Sequence, residues 1–314
     1  MSTRRHALKT LIAGAAALAT SPKSAFAEIT PAQSPTSTHP ITNEPITPAY
    51  ALASAGKPIY RKGNIRHSVC RWTYGDLPLD ELCIFAKQIG LSAIDLIGPK
   101  EWEVLKSHGL DSSMCNGAEI GLTKGFNDPQ YHAQLVQNYS DVIQLVAKAG
   151  YKNLICFSGN RNGMYDETGL KNCMTALQKI LPLAEKNGVV IQMELFNSKV
   201  DHKDYMCDKS AWGIELCKRL GSENFKLLYD IYHMQINEGD VIRTIRDHHQ
   251  YFGHYHTAGV PGRNEIDDTQ ELYYPAIMRA IVETGYKGYV AQEFIPTAGD
   301  KLGSLSKAID ICDV

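Results

Sequence analysis

The sequence has almost no excess charge of either sign: 32 Lys and Arg stand against 34 Asp and Glu, a formal charge of -2. Nucleic-acid backbones and anionic membranes both reward clustered basic side chains, so this balance argues against either as a partner and makes a small molecule the default. No G-x-G-x-x-G follows an early apolar segment, which leaves a dinucleotide site without support. The eight cysteines, at positions 70, 83, 115, 156, 173, 207, 217 and 312, show no C-x-x-C spacing. They fall mostly in apolar runs and read as buried thiols packing as small hydrophobes, not as a disulfide framework. The apolar run from Leu11 to Ala19 is too short to span a bilayer as a stable helix.

That run has another reading. It follows the basic stretch Arg4-Arg5-His6-Ala7-Leu8-Lys9 and precedes Ala25-Phe26-Ala27, a small-x-small cleavage pattern, so residues 1–27 are expected to be an export signal cut after Ala27. The paired arginines resemble a twin-arginine signal, with Ala7 where that motif usually has Phe, and imply a periplasmic or otherwise exported protein with no membrane attachment after cleavage. Residues 28–63 are rich in Pro, Ser and Thr, as in Thr30-Pro31, Ser34-Pro35 and Glu44-Pro45, and are expected to be an extended linker. About 250 residues remain, the usual size of a (β/α)8 barrel.

From Arg66 on, short apolar segments alternate with longer stretches of helical periodicity, which predicts a parallel sheet. Eight strands are expected: Arg66–Trp72, Ala93–Ile97, Ser113–Asn116, Asn153–Ser158, Val189–Glu194, Lys226–Asp230, Gly253–His256 and Val290–Phe294. Amphipathic helices are expected at Leu79–Ile89, Ala133–Ala149, Cys173–Lys186, Ser210–Leu220, Val241–His248 and Tyr274–Thr284, several running into a glycine. Little room is left for a full helix between the second and third strands. A single (β/α)8 TIM barrel over residues 64–314 accommodates this count, and a doubly wound open sheet is the rival.

In such a barrel the active site forms at the C-terminal strand ends. Glu194, Asp230, His256 and Glu293 each close one of the last four apolar segments, spaced 36, 26 and 37 residues apart, one strand-helix unit each. Three converging carboxylates repel one another unless a cation is present. Oxygen donors with one imidazole suit Mn2+, Mg2+ or Co2+, with Zn2+ as a further option. The bland reading is that each acid caps a helix or pairs with a nearby Lys or Arg. His254 is expected beneath His256, one layer deeper. Trp72, Trp102 and Phe157 are candidates for the wall facing the substrate.

Several segments carry a specific likeness. Tyr229-Asp230-Ile231-Tyr232-His233-Met234-Gln235, Val260-Pro261-Gly262-Arg263-Asn264-Glu265, Gly285-Tyr286-Lys287-Gly288-Tyr289-Val290 and Glu194-Leu195-Phe196-Asn197 resemble the xylose-isomerase-like sugar isomerases and epimerases, and within them the hydroxypyruvate isomerase family. The resemblance is specific from about Val189 to Pro296. It implies one divalent metal held by Glu194, Asp230, His256 and Glu293, with Glu194 and Glu293 exchanging a proton through an enediolate. It further implies His233 and Arg263 as substrate contacts, although His233 can instead brace Glu194 and Arg263 can pair with Glu265 or Asp267. His256 departs from the Gln common among hydroxypyruvate isomerases and is closer to ketose 3-epimerases; Ile295 stands where the former often have Lys. The implied substrate is a small sugar or hydroxy-keto acid such as hydroxypyruvate. A lyase or dehydratase on the same barrel, a sugar-binding protein without turnover, and assembly as a homo-oligomer remain open on sequence.

Overall fold

A computed structural model describes residues 59–314. The expected export signal and all but the last five residues of the expected linker lie outside the described residues. Eight parallel strands close into a barrel in chain order: β1 (Arg66–Cys70), β2 (Ala93–Ile97), β3 (Asp111–Cys115), β4 (Asn153–Cys156), β5 (Val190–Glu194), β6 (Phe225–Asp230), β7 (Phe252–Thr257) and β8 (Tyr289–Gln292). Closure is made by β1 against β8, with Ser68 opposite Ala291. The doubly wound alternative is thereby excluded.

Nine helices occur among the described residues: α1 (Leu79–Gln88), α2 (Trp102–Ser107), α3 (His132–Ala149), α4 (Asp166–Asn187), α5 (Ser210–Leu220), α6 (Ile231–Asn237), α7 (Val241–His248), α8 (Tyr274–Glu283) and α9 (Lys301–Cys312). α3 shows how the sequence specifies them. Leu135, Tyr139, Val142, Ile143 and Val146 repeat at helical spacing and are buried, while Gly150 takes the left-handed φ of 85° that ends the helix. Gly188 closes α4 in the same way, at φ 65°.

Strand ends differ in places from expectation. β1 stops at Cys70, because residues 71–74 turn tightly, with Thr73 Oγ1 donating to Cys70 O at 3.0 Å and Gly75 N donating to Trp72 O at 3.2 Å. Trp72 is therefore on a turn over the strand end. β3 runs from Asp111 to Cys115, and the short gap before it holds only the single-turn-and-a-half helix α2. α4 starts at Asp166, earlier than expected, with Asp166 and Glu167 in a first turn whose free N–H groups favour acidic side chains. All eight cysteines are buried free thiols.

The barrel interior and the strand-helix layer share one apolar core. The N-terminal side is tied down by polar contacts: Arg61 Nε donates to Ile89 O at 2.8 Å, and Lys62 Nζ to Asp313 O at 2.9 Å. The opposite, C-terminal end of the strands is where polar side chains turn inward.

Candidate active site

Each of the four acidic and imidazole residues reaches this end by a short local route. Glu194 is the last residue of β5, and its carbonyl accepts from Tyr205 Oη at 3.0 Å. Asp230 ends β6 and at once becomes the N-cap of α6, its Oδ1 accepting from His233 N at 3.1 Å. The capping role and the inward role coexist, because the cap uses one carboxylate oxygen and leaves Oδ2 free. His256 lies in β7, and Glu293 follows β8, where its N–H donates to Thr257 O at 2.9 Å. One ligand atom from each of Glu194, Asp230, His256 and Glu293 lies within 4.8 Å of the others, and all four residues are buried.

The electrostatics of this cluster are crowded. His256 Nδ1 is 2.8 Å from Glu293 Oε2 and 3.3 Å from Glu194 Oε1. Burial together with the Glu293 charge lifts Glu194 to about 7 and drives Asp230 well above its ordinary range. Burial acts the same way on Glu293, but the Arg263 guanidinium and His256 outweigh it and hold that carboxyl well below the usual range. His256 is pushed up against its own burial by Glu293, Cys70 and Asp95. Glu194 Oε1 and Asp230 Oδ2 have no hydrogen-bond donor although both are buried. Orphaned carboxylate oxygens facing an imidazole nitrogen are what a divalent cation satisfies, so the residues present fit such an ion.

Arg263 sits in the left-handed region at φ 61° in the loop after β7. Its Nη2 donates to Glu293 Oε2 at 2.7 Å and lies 3.7 Å from Asp230 Oδ2, while its guanidinium packs over the rings of Trp72 and Tyr232. It pairs with the cluster and not with Glu265 or Asp267. Trp72 Nε1 donates to the other Glu293 oxygen at 2.8 Å.

A cavity of about 520 Å³ adjoins the cluster. Trp72, Leu96, Leu122, Ile155, Phe157 and Phe196 form its apolar wall, with Asn116, Glu119, His202, Arg263, Glu194 and Glu293 as polar groups. Trp72 and Phe157 thus stand where the sequence suggested. Trp102 does not: it belongs to α2, packs edge-on against Tyr151 at 5.3 Å, and donates to Ile97 O at 3.0 Å. His233 is fully buried behind Asp230 and is not among the cavity-lining residues. Its Nδ1 faces Asn197 Nδ2 at 2.7 Å, which assigns the ring proton to Nε2, 3.6 Å from Asp230 Oδ2. His254 does lie beneath His256, with Nε2 2.9 Å from Asp95 Oδ2.

Sequence reasoning missed His202 and Asp95. His202, in the loop after β5, stacks on Phe196 with ring centroids 4.0 Å apart and leaves Nε2 without a partner. No periodicity marks it. Asp95 did leave a trace, as the lone charge in Ala93-Ile94-Asp95-Leu96-Ile97.

Comparison with known proteins agrees with the fold. The chain is 36% identical over 120 residues to the 2-oxo-tetronate isomerase of Cupriavidus necator, covering 38% of this chain and 45% of that protein. It is 28% identical over 238 residues to the enzyme of the same name from Pectobacterium atrosepticum, covering 71% of this chain and 88% of that one. Against most of the curated relatives it matches, the aligned stretch spans about half of their length. Among solved structures, the family 2 AP endonuclease of Brucella melitensis superposes with a TM-score of 0.71 at 21% identity, over 78% of this chain and 98% of that one, a likeness of fold. The family profile described as xylose isomerase-like TIM barrel matches residues 85–309, and the chain belongs to that family.

Proposed function

We propose that this protein is a metal-dependent isomerase of the hydroxypyruvate isomerase kind, moving a proton between adjacent carbons of a small hydroxy-keto acid or sugar through an enediolate. The observation that carries this reading is the double membership of Glu194 and Glu293: both belong to the four-residue cluster and both line the cavity. Each carboxylate can thus face an ion and a substrate carbon. Glu194, Asp230, His256 and Glu293 would hold the ion, which when bound supplies Lewis-acid stabilisation of charge developing on neighbouring substrate oxygens.

Glu194 and Glu293 remove and return the proton at carbon, the work of a positioned general base and acid. The Arg263 guanidinium orients Glu293 and offers its remaining donors to a substrate oxygen or carboxylate. The apolar wall from Trp72 to Phe196 excludes water from the carbanion-like intermediate. His256 at the third ligand position favours a second reading, a ketose 3-epimerase, with the same residue roles and a different carbon losing its proton.

One experiment tests both. Protein reconstituted with Mn2+, Mg2+, Co2+ or Zn2+ is incubated in deuterated water with hydroxypyruvate and a panel of ketoses and aldoses, and carbon-bound deuterium is read by NMR. Label at the carbon next to the carbonyl, with a changed carbonyl position, supports the isomerase; label at C3 with inverted configuration supports the epimerase. Absence of exchange with every metal and substrate sinks the proposal. Export by the twin-arginine route belongs to the same proposal. Cell fractionation should find the protein outside the cytoplasm, and Arg4→Lys with Arg5→Lys should retain it inside.

A further inference from the structure

Asp95 is a carboxylate in the wrong place for stability. It sits in the middle of β2 with no exposure to solvent, where an ionised group is costly to bury and an apolar one of similar size would commonly serve as well. Its neighbours come from three other strands. Oδ1 lies 2.9 Å from His256 Nε2 and accepts from Cys70 Sγ at 3.5 Å. Oδ2 accepts from Ser113 Oγ at 2.5 Å and lies 2.9 Å from His254 Nε2, the latter at an angle poor for a hydrogen bond.

The backbone is deformed at this point as well. The register between β2 and β3 shifts on both sides of Asp95, and Leu96 adopts φ 52°, a left-handed conformation unfavourable for a residue with a Cβ. In a regular strand adjacent side chains point to opposite faces. Here Asp95 meets His256 while its neighbour Leu96 lines the cavity.

We propose that Asp95 is the positioning residue for His256. By accepting from Nε2–H it fixes the tautomer and rotation of the ring, so that Nδ1 and its lone pair are presented to the space between Glu194, Asp230 and Glu293. Ser113 holds the Asp95 carboxylate from β3, and His254 lies against it from one layer deeper in β7. A carboxylate behind a ligating imidazole also makes that imidazole a better donor, which is why such partners matter to metal sites. The assignment rests on the metal-site reading given above, and it extends that site from four residues at strand ends to a relay crossing the barrel interior.

The test is binding, not turnover. Mn2+ is titrated calorimetrically into metal-free wild type and into Asp95→Asn, which keeps the size of the side chain and removes its charge. The expected result is a loss of affinity of about 10- to 100-fold. Ser113→Ala, which leaves the charge in place, should lose about fivefold, the equivalent of one hydrogen bond. A signature that mere packing would not move is read in the wild type: in Zn2+-loaded protein labelled with 15N-histidine, the proton of His256 should be on Nε2. A proton on Nδ1 in that spectrum, or an unchanged Mn2+ affinity in Asp95→Asn, overturns the assignment while leaving the metal site standing. Failure of the wild type to bind either ion overturns both together.

Discussion

The two halves of the barrel do different work. β5 to β8 supply all four side chains of the cluster, each within one residue of a strand end. β1 to β4 supply none of them. They supply what surrounds the cluster: Trp72 against Glu293, Asp95 against His256, and Leu96, Ile155 and Phe157 on the cavity wall. Irregular pairing occurs on both sides: β2 is bulged against β3, β3 meets β4 at a single pair, Cys115 with Leu154, and β6 shifts register against β7 between Leu227 and Leu228. The second half places reactive groups, and the first half shapes the space and orients them. A barrel lets these duties separate because every strand end faces the same mouth whatever its place in the chain.

The sharpest way to break this division is to disable the second half. Glu293→Gln should keep the side chain's size and lower the rate of deuterium exchange by about 10²- to 10⁴-fold, the usual worth of a positioned acid or base. A comparable loss from Phe157→Leu, on the other half, would show that the division is false.

The first half should reveal itself in stability instead. His67 in β1 is buried, and that burial, opposed by Asp313, lowers its pKa from 6.5 to about 4. The unfolded chain therefore binds this proton more readily than the native one, so His67 costs nothing above pH 6.5 and destabilises progressively as pH falls toward 4, by up to about 3 kcal/mol. Thermal melts of wild type and His67→Gln from pH 7.5 to 4.5 should converge at high pH and separate at low pH. Parallel curves would remove His67 from the account.

Arg263 spans the division, because it comes from the loop after β7 yet packs over Trp72. Arg263→Lys keeps a charge but loses the planar fork, and kcat/KM should fall by roughly 10-fold, the worth of a charge-assisted hydrogen bond. The smallest effect should come from Trp72→Phe. It removes the Nε1–H donated to Glu293 while keeping an aromatic ring beside Arg263, and steady-state kinetics should show a loss of about fivefold, corresponding mainly to one hydrogen bond of roughly 1 kcal/mol. If Trp72→Phe were as damaging as Glu293→Gln, the first half would be doing more than orienting.

Much of this was legible in the chain, and unevenly so. β5 and β6 end on acids and an acid directly follows β8, each after a mostly apolar run, a pattern that requires only a parallel strand and its C-terminal end to interpret. The (β/α)8 count followed from the same alternation. Trp102 misled because an aromatic residue shortly after a strand carries no sign of whether the chain has already turned into a helix, as it has at α2. His202 was missed because its position depends on a loop that folds back to stack on Phe196, and loops have no period to read.

The sequence by itself determined eight alternating strand-helix units with Glu194, Asp230, His256 and Glu293 near the ends of the last four, because such alternation specifies parallel strands. Closure into a barrel instead of an open sheet, and with it the meeting of those four groups, was decided by the tertiary structure. Only the tertiary structure decided what stands behind those groups. That His256 turns Nδ1 toward the carboxylates is set by Asp95, 161 positions away in the chain, across a barrel whose closure brings β2 and β7 side chains together in the interior. Spacing along a chain specifies which residues reach one end of a sheet; it cannot specify which side chains meet across the sheet's enclosed centre, where closure and a bulge at Leu96 fix the contact.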